Sequence, residues 1–385
     1  MNDVIAHRLP NGMLILVRAT HSAPVAACAV WYRVGARNER LGTTGISHWV
    51  EHMLFKGTPT IPTGELDRLV ARNGGTFNGF TSNDYTAYYE TLPADRIELG
   101  LQIESDRMVN TIFDSAEVES ERTVIISERE GHENDPDWWL NEAVMAAAFQ
   151  IHPYRNEVIG WKGDLLAMTR DDLFRHYQTY YMPNNAILSL VGDFDADQIL
   201  KQVETYFGNL PVGPQIPIAS TIEPQQQGER RVTIRRPGPA QYVQIAFHAA
   251  SCRQPDFAPL IVLDAVLSGA KPLGFGGGAQ TNRSARIYRA LVETQLAAGA
   301  GSGFGASKCS CPAGPREHYQ HYQHHRHQPC GHYRPAPACV FGRRRWPATA
   351  ALAQRRLARA EDSGNRNWHC HAGWPIRAAT TGRQI

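Results

Sequence analysis

Long apolar runs are missing from this chain: nowhere in its 385 residues is there an uninterrupted stretch of the roughly 18 that a bilayer-spanning helix needs. No membrane association is expected. Cysteine is scarce where a fold would use it, with 7 in all and only Cys28 and Cys252 ahead of residue 306. An odd total and two distant cysteines in the body argue against a disulfide framework and fit a reducing compartment. The first eight residues include acidic Asp3 and lack the apolar core of a signal peptide, so the expected location is cytoplasmic. Acidic residues all but vanish near the end: 306–385 holds 3 of them against 13 lysines and arginines. The overall charge of +2 therefore averages a tail of +10 and a body of −8.

At roughly 100–200 residues per domain the length predicts two or three domains, each able to bury a core. Alternation on either side of Pro10-Asn11-Gly12 predicts a strand pair, and 25–34 a further strand. Apolar residues at 46, 49, 50, 53 and 54 repeat with helical spacing. A second helix over 63–72 ends at Asn73-Gly74-Gly75, and 76–92, rich in Phe, Thr and Tyr, reads as strand. Helices are expected over 95–109, 115–131, 138–149 and 171–181, with a buried strand at 186–192. The Pro-rich, aperiodic stretch 208–228 marks a linker. Strands at 232–235 and 242–247 and helices at 257–267 and 284–294 follow.

The chemistry concentrates in His48-Trp-Val-Glu51-His52. Two histidines four apart stack on one helix face, and Glu51, three from His48, shares that face. Neutral imidazoles one turn apart can bind Zn²⁺, a catalytic site keeps one position open beside three protein ligands, and Glu51 is the natural general base for the activated water. A third ligand must come from another element. Glu121 and Glu128, seven apart on the glutamate-rich helix, share a face, so one can ligate while the other accepts a hydrogen bond from a ligand histidine.

The pattern resembles that of peptidase family M16, the pitrilysin or inverzincin zinc metallopeptidases. In that family H-x-x-E-H is followed about 76 residues later by a ligand glutamate, itself preceded at seven residues by another; His52 to Glu128 is 76 and Glu121 to Glu128 is 7. The resemblance implies one Zn²⁺ per chain on His48, His52 and Glu128, with Glu51 as base and Glu121 supporting a ligand. It implies an α+β fold of two homologous α/β sandwich domains; the composition past about residue 305 makes the second incomplete, followed by a disordered basic tail. The expected boundaries are 1–210 for the catalytic domain, 211–229 for the linker, 230–305 for the partial second domain and 306–385 for the tail. Gly74 to Thr86 looks like the family's segment at the substrate-binding edge strand, which points to Asn78, Gly79 and Phe80 as substrate contacts. His152 and His132 read as loop and solvent-facing residues.

The similarity covers about 5–305 and then stops. Residues 306–385 lack the Val, Ile and Leu periodicity of a core and read like a GC-rich gene translated in the wrong frame. Thirteen basic residues without a recognised fold do not predict nucleic-acid binding. The function implied is a zinc-dependent metalloendopeptidase acting on peptides or unfolded polypeptide segments. The alternative is an inactive, scaffold-like subunit. A homodimer or a partner subunit of the same family is the association implied.

Overall fold

The computed structural model describes residues 4–238, 240–252, 254–269, 283–304, 370–371 and 376–381. Two sheets organise them. The first has strands β1 (Ile5–Arg8), β2 (Leu14–Ala19), β3 (Val25–Tyr32), β4 (Thr76–Thr81), β5 (Thr86–Pro93) and β6 (Ala186–Gly192). Their order is β1-β2-β6-β3-β5-β4, with β2 and β6 parallel and the other pairs antiparallel. The expected strand over 76–92 is thus a hairpin, Thr81 opposite Thr86, whose first arm, β4, is an edge of the sheet.

Period-two alternation decides which face is covered. Ile15, Val17, Cys28, Val30, Tyr32, Tyr88, Leu188 and Leu190 are buried on one face, and helices pack there. α1 (Ile46–Met53), α3 (Ile97–Asn110), α4 (Ser115–His132), α7 (Arg170–Tyr180) and α8 (Ala196–Phe207) supply Trp49, Val50, Met53, Leu101, Val118, Ile125, Leu173, Val203 and Phe207 to the same core. Between α1 and α3 lies α2 (Glu65–Arg72), and α5 (Pro136–Ala148) and α6 (Lys162–Ala167) complete this part. The sequence pattern assigned no helix to α8, which Asp195 caps by accepting the Gln198 amide at 2.8 Å. No regular element lies between Phe207 and Arg231.

A second sheet joins β7 (Arg231–Val232), β8 (Ala240–Ile245), β9 (Gly299–Ser302), β10 (Cys370–His371) and β11 (Ile376–Thr381) in the order β7-β10-β8-β11-β9. α9 (Phe257–Ser268) precedes a π-helical turn at Tyr288–Val292, where the sequence predicted a longer helix. β10 and β11 fall within the stretch expected to be tail, and β11 pairs with both β8 and β9. Most of the tail, including the histidine cluster at 324, 325 and 327, lies outside the described residues. Leu140 and Val144 of α5 make a small core with Val232, Tyr242 and Ala246. Cys28 is a buried free thiol, whereas Cys252 is disulfide-bonded. Among the described residues no helix is long and apolar enough to cross a membrane.

Candidate metal centre

α1 buries Ile46, Trp49, Val50 and Met53 and turns His48 and His52 toward α4. Its start is fixed by Glu39, whose carboxylate accepts the amides of Gly45 and Ser47 at 2.8 and 2.9 Å. Burial nonetheless lifts the Glu39 pKa to about 7 against those two hydrogen bonds. Gly45 has φ +88°, and a Cβ there would lie 2.4 Å from the Ile159 carbonyl oxygen, so glycine is required where the two loops meet. α4 starts at Asp114, which accepts the Ala116 and Glu117 amides at 2.9 and 3.2 Å. Arg129 locks the other end of α4, donating to the Gly160 carbonyl at 2.5 Å and to Glu142 at 3.1 Å. Arg122 lies over the Trp49 ring at 4.6 Å and ties α4 directly to α1.

These anchors bring together His48, His52 and Glu128, the one group of three or more potential metal-ligating side chains found among the described residues, with donor atoms within 4.8 Å of one another. The two Nε2 atoms are 3.2 Å apart, and Glu128 Oε2 lies 3.8 Å from His48 Nε2 and 3.9 Å from His52 Nε2. Donors about 2.0–2.2 Å from a tetrahedral ion sit roughly 3.3–3.5 Å from each other. The imidazole pair fits zinc as it stands, and the carboxylate needs only a small inward move. Burial, with help from the charges of His52 and His132, drives the His48 pKa down to about 3. Its Nδ1 is buried without a hydrogen-bond partner.

Around this trio each outer contact is specific. His52 Nδ1 donates to Glu121 Oε1 at 2.7 Å, and Lys56 Nζ lies 2.5 Å from Glu121 Oε2. Glu51 is 7 % exposed, and its Oε2 accepts the Thr81 hydroxyl from the end of β4 at 2.6 Å. Burial raises the Glu51 pKa while the Thr81 hydrogen bond pulls it back. His48, Glu51, His52, Gly79, Phe80, Thr81, Glu128, His132 and Glu157 share a cleft of about 490 Å³ with Trp138, Val158 and Ile159. Asn78 is not among the lining residues; it is exposed, and its side-chain oxygen accepts the Gly79 amide at 2.8 Å.

His132 is exposed, as expected from the sequence, and lies at the rim of the cleft. It stacks on Trp138 and sits 3.9 Å from Glu128 Oε1. His152 is a buried loop residue whose Nδ1 accepts the Tyr154 amide at 3.2 Å. Glu119, Glu130 and Glu133 pair with Arg122, Lys162 and Arg129 rather than entering the site. Thr81 and Lys56 escaped the sequence reading; for Lys56 the available signal was its spacing, four residues beyond His52.

The family model described as insulinase, peptidase family M16, matches residues 14–162, and the one described as peptidase M16 inactive domain matches 167–314. Zinc protease PqqE of Helicobacter pylori is 30 % identical over 268 residues, which is 68 % of this chain and 60 % of that protein. The uncharacterized zinc protease YmxG of Bacillus subtilis is 28 % identical over 68 % of this chain and 63 % of its own length. The chain thus spans under two thirds of these curated relatives. The crystal structure of a protease from Helicobacter pylori superposes with a TM-score of 0.71 at 26 % identity, covering 79 % of this chain and 71 % of that one. With both family models matching in their expected order and the fold agreeing, the chain belongs to peptidase family M16.

Proposed function

We propose that the chain is a zinc-dependent metalloendopeptidase, with one Zn²⁺ held by His48, His52 and Glu128. The observation that carries the reading is the convergence of those three donors from two helices, beside a carboxylate that is not one of them. Zinc in such a site supplies Lewis acidity, acidifying water and polarising a peptide carbonyl. The names of the relatives as zinc proteases support the same metal.

The chain's own residues supply proton handling and grip. Thr81 occupies Oε2 of Glu51, which leaves Oε1 to take the proton of the attacking water and pass it to the departing amine. β4 ends its sheet, so its outer backbone edge can take an extended peptide as an added strand whatever the side chains, with Gly79 and Phe80 facing the cleft. An extended peptide or unfolded segment is the substrate class this supports.

The test is metal content together with peptide cleavage for wild type and Glu51→Gln. Zinc retained and cleavage lowered by about 10²–10⁴-fold in the variant is expected, the range for removing a general base. Wild type that takes up zinc and cleaves nothing moves the reading to a non-catalytic subunit. That second reading is favoured by the inactive-domain model over 167–314.

A further inference from the structure

We propose that Lys56 is a positioning residue of the metal centre: its ammonium holds the far oxygen of Glu121 so that the near oxygen stays on His52 Nδ1 and fixes the direction of His52 Nε2. The inference rests on the zinc reading above and adds a residue to it.

The geometry is a ladder between two helices. His48, His52 and Lys56 follow one another at intervals of four, so each step moves about 6 Å along one side of the helical path. Facing them, Glu128 and Glu121 are seven apart on α4, about 10 Å along its axis. The rungs are His48 to Glu128 at 3.8 Å, His52 to Glu121 at 2.7 Å, and Lys56 to Glu121 at 2.5 Å. α1 itself ends at Met53, yet its turn continues: the Phe55 amide donates to His52 O at 3.1 Å and the Lys56 amide to Met53 O at 3.0 Å. The Thr63 hydroxyl then closes on the Lys56 carbonyl at 2.6 Å. Lys56 is therefore a long side chain launched from a fixed backbone.

Burial separates this ion pair from a surface one. The Glu121 side chain is 6 % exposed and that of Lys56 29 %, whereas exposed pairs are worth little because water competes for both partners. Oε2 of Glu121 is buried, and the Lys56 ammonium at 2.5 Å is what compensates it. Remove that charge and the carboxylate must rotate or draw in water to satisfy Oε2. Either movement takes Oε1 off His52 Nδ1, and the ring loses the contact that sets its tautomer and aim.

The experiment is a titration of the metal-free full chain with Zn²⁺ against a chromogenic chelator, with the unfolding midpoint recorded for every variant. Lys56→Met is expected to bind zinc about 10–100-fold more weakly than wild type, the usual cost of losing an outer partner of a metal ligand. Lys56→Arg, which keeps the charge, should restore most of that loss. In a Glu121→Gln background, Lys56→Met should add nothing further, because the two act through one contact. Should Lys56→Met not fold, Lys56→Gln, which keeps a donor without the charge, is read against the same scale. Wild-type zinc affinity in folded Lys56→Met or Lys56→Gln, with only the unfolding midpoint lowered, overturns the inference and leaves Lys56 as a brace between α1 and α4. A wild type that takes up no zinc instead overturns the metalloenzyme reading, and this inference with it.

Discussion

The hydroxyl of Thr81, on the last residue of the edge strand, donates to Oε2 of Glu51 on the metal-site helix at 2.6 Å. Strand and base are thereby coupled, since a peptide lying along β4 would press on the residue that orients Glu51. A hydrogen bond to a charged group contributes about 1.5–3 kcal/mol. Thr81→Val should therefore lower kcat/KM at neutral pH at least about tenfold, while Thr81→Ser stays near wild type. The sign of the pH effect follows from the same contact. Burial raises the Glu51 pKa and the Thr81 hydrogen bond lowers it, so removing the hydroxyl lets it rise further. A base works only when deprotonated, and the acid limb of the Thr81→Val profile should move to higher pH. A profile of peptide cleavage between pH 5 and pH 9 that keeps its acid limb in place would count against the coupling.

His176 of α7 sits buried against α1, its Nε2 3.2 Å from the Ser47 hydroxyl, and burial pushes its pKa down to about 3. The folded value lies below the ordinary histidine value of 6.5, so the folded chain resists a proton that the unfolded chain accepts. Stability from this group is complete above pH 6.5 and drains as the pH falls toward the folded value, by at most about 1.4 kcal/mol per pH unit. Replacing His176 with Gln should flatten that part of the curve. Urea unfolding of both chains at intervals from pH 7.5 to pH 4 measures it, and parallel curves would remove His176 from the account.

Legibility in the sequence followed the range of the interaction. His48, Glu51 and His52 lie within one helical turn, and Glu121 and Glu128 share a face of a second helix, so local periodicity was enough to nominate them. Thr81 was hidden because its role depends on where β4 ends relative to α1, which no spacing within β4 encodes. His132 is solvated as expected, but its place was not legible: the turn of α4 that carries Glu128 into the site carries His132 to the same rim, where Trp138 stacks on it. The signal for α8 was present but went unread: Ile199, Leu200, Val203, Tyr206 and Phe207 recur at helical spacing behind the Asp195 cap. β11 lies in a segment without core periodicity; its pairing with β8 and β9 uses backbone groups, which no side-chain pattern reports.

Beneath the site, Arg107 is enclosed between two carboxylates, bonded to Glu90 and lying 2.7 Å from Glu104, with all three side chains at most 2 % exposed. Its guanidinium also lies 4.7 Å from the centre of the Tyr88 ring, and the Tyr88 hydroxyl donates to the Glu51 carbonyl at 3.4 Å. Arg107→Met would leave two carboxylates in the core with no cation, a loss of about 3–5 kcal/mol for a broken buried pair. The deficit should depend on pH in a definite direction. Burial raises the pKa of Glu90 and of Glu104 above the ordinary carboxylate value, so their cost is absent where both folded and unfolded chains are protonated and grows as the pH rises. Arg107→Met should therefore be closest to wild type near pH 4.5 and furthest from it at pH 8, and adding Glu90→Gln should recover part of the loss at pH 8. Thermal unfolding of the three chains at both pH values decides it. A deficit that is equal at pH 4.5 and pH 8 would mean that the missing packing on Tyr88, not the stranded charge, sets the cost.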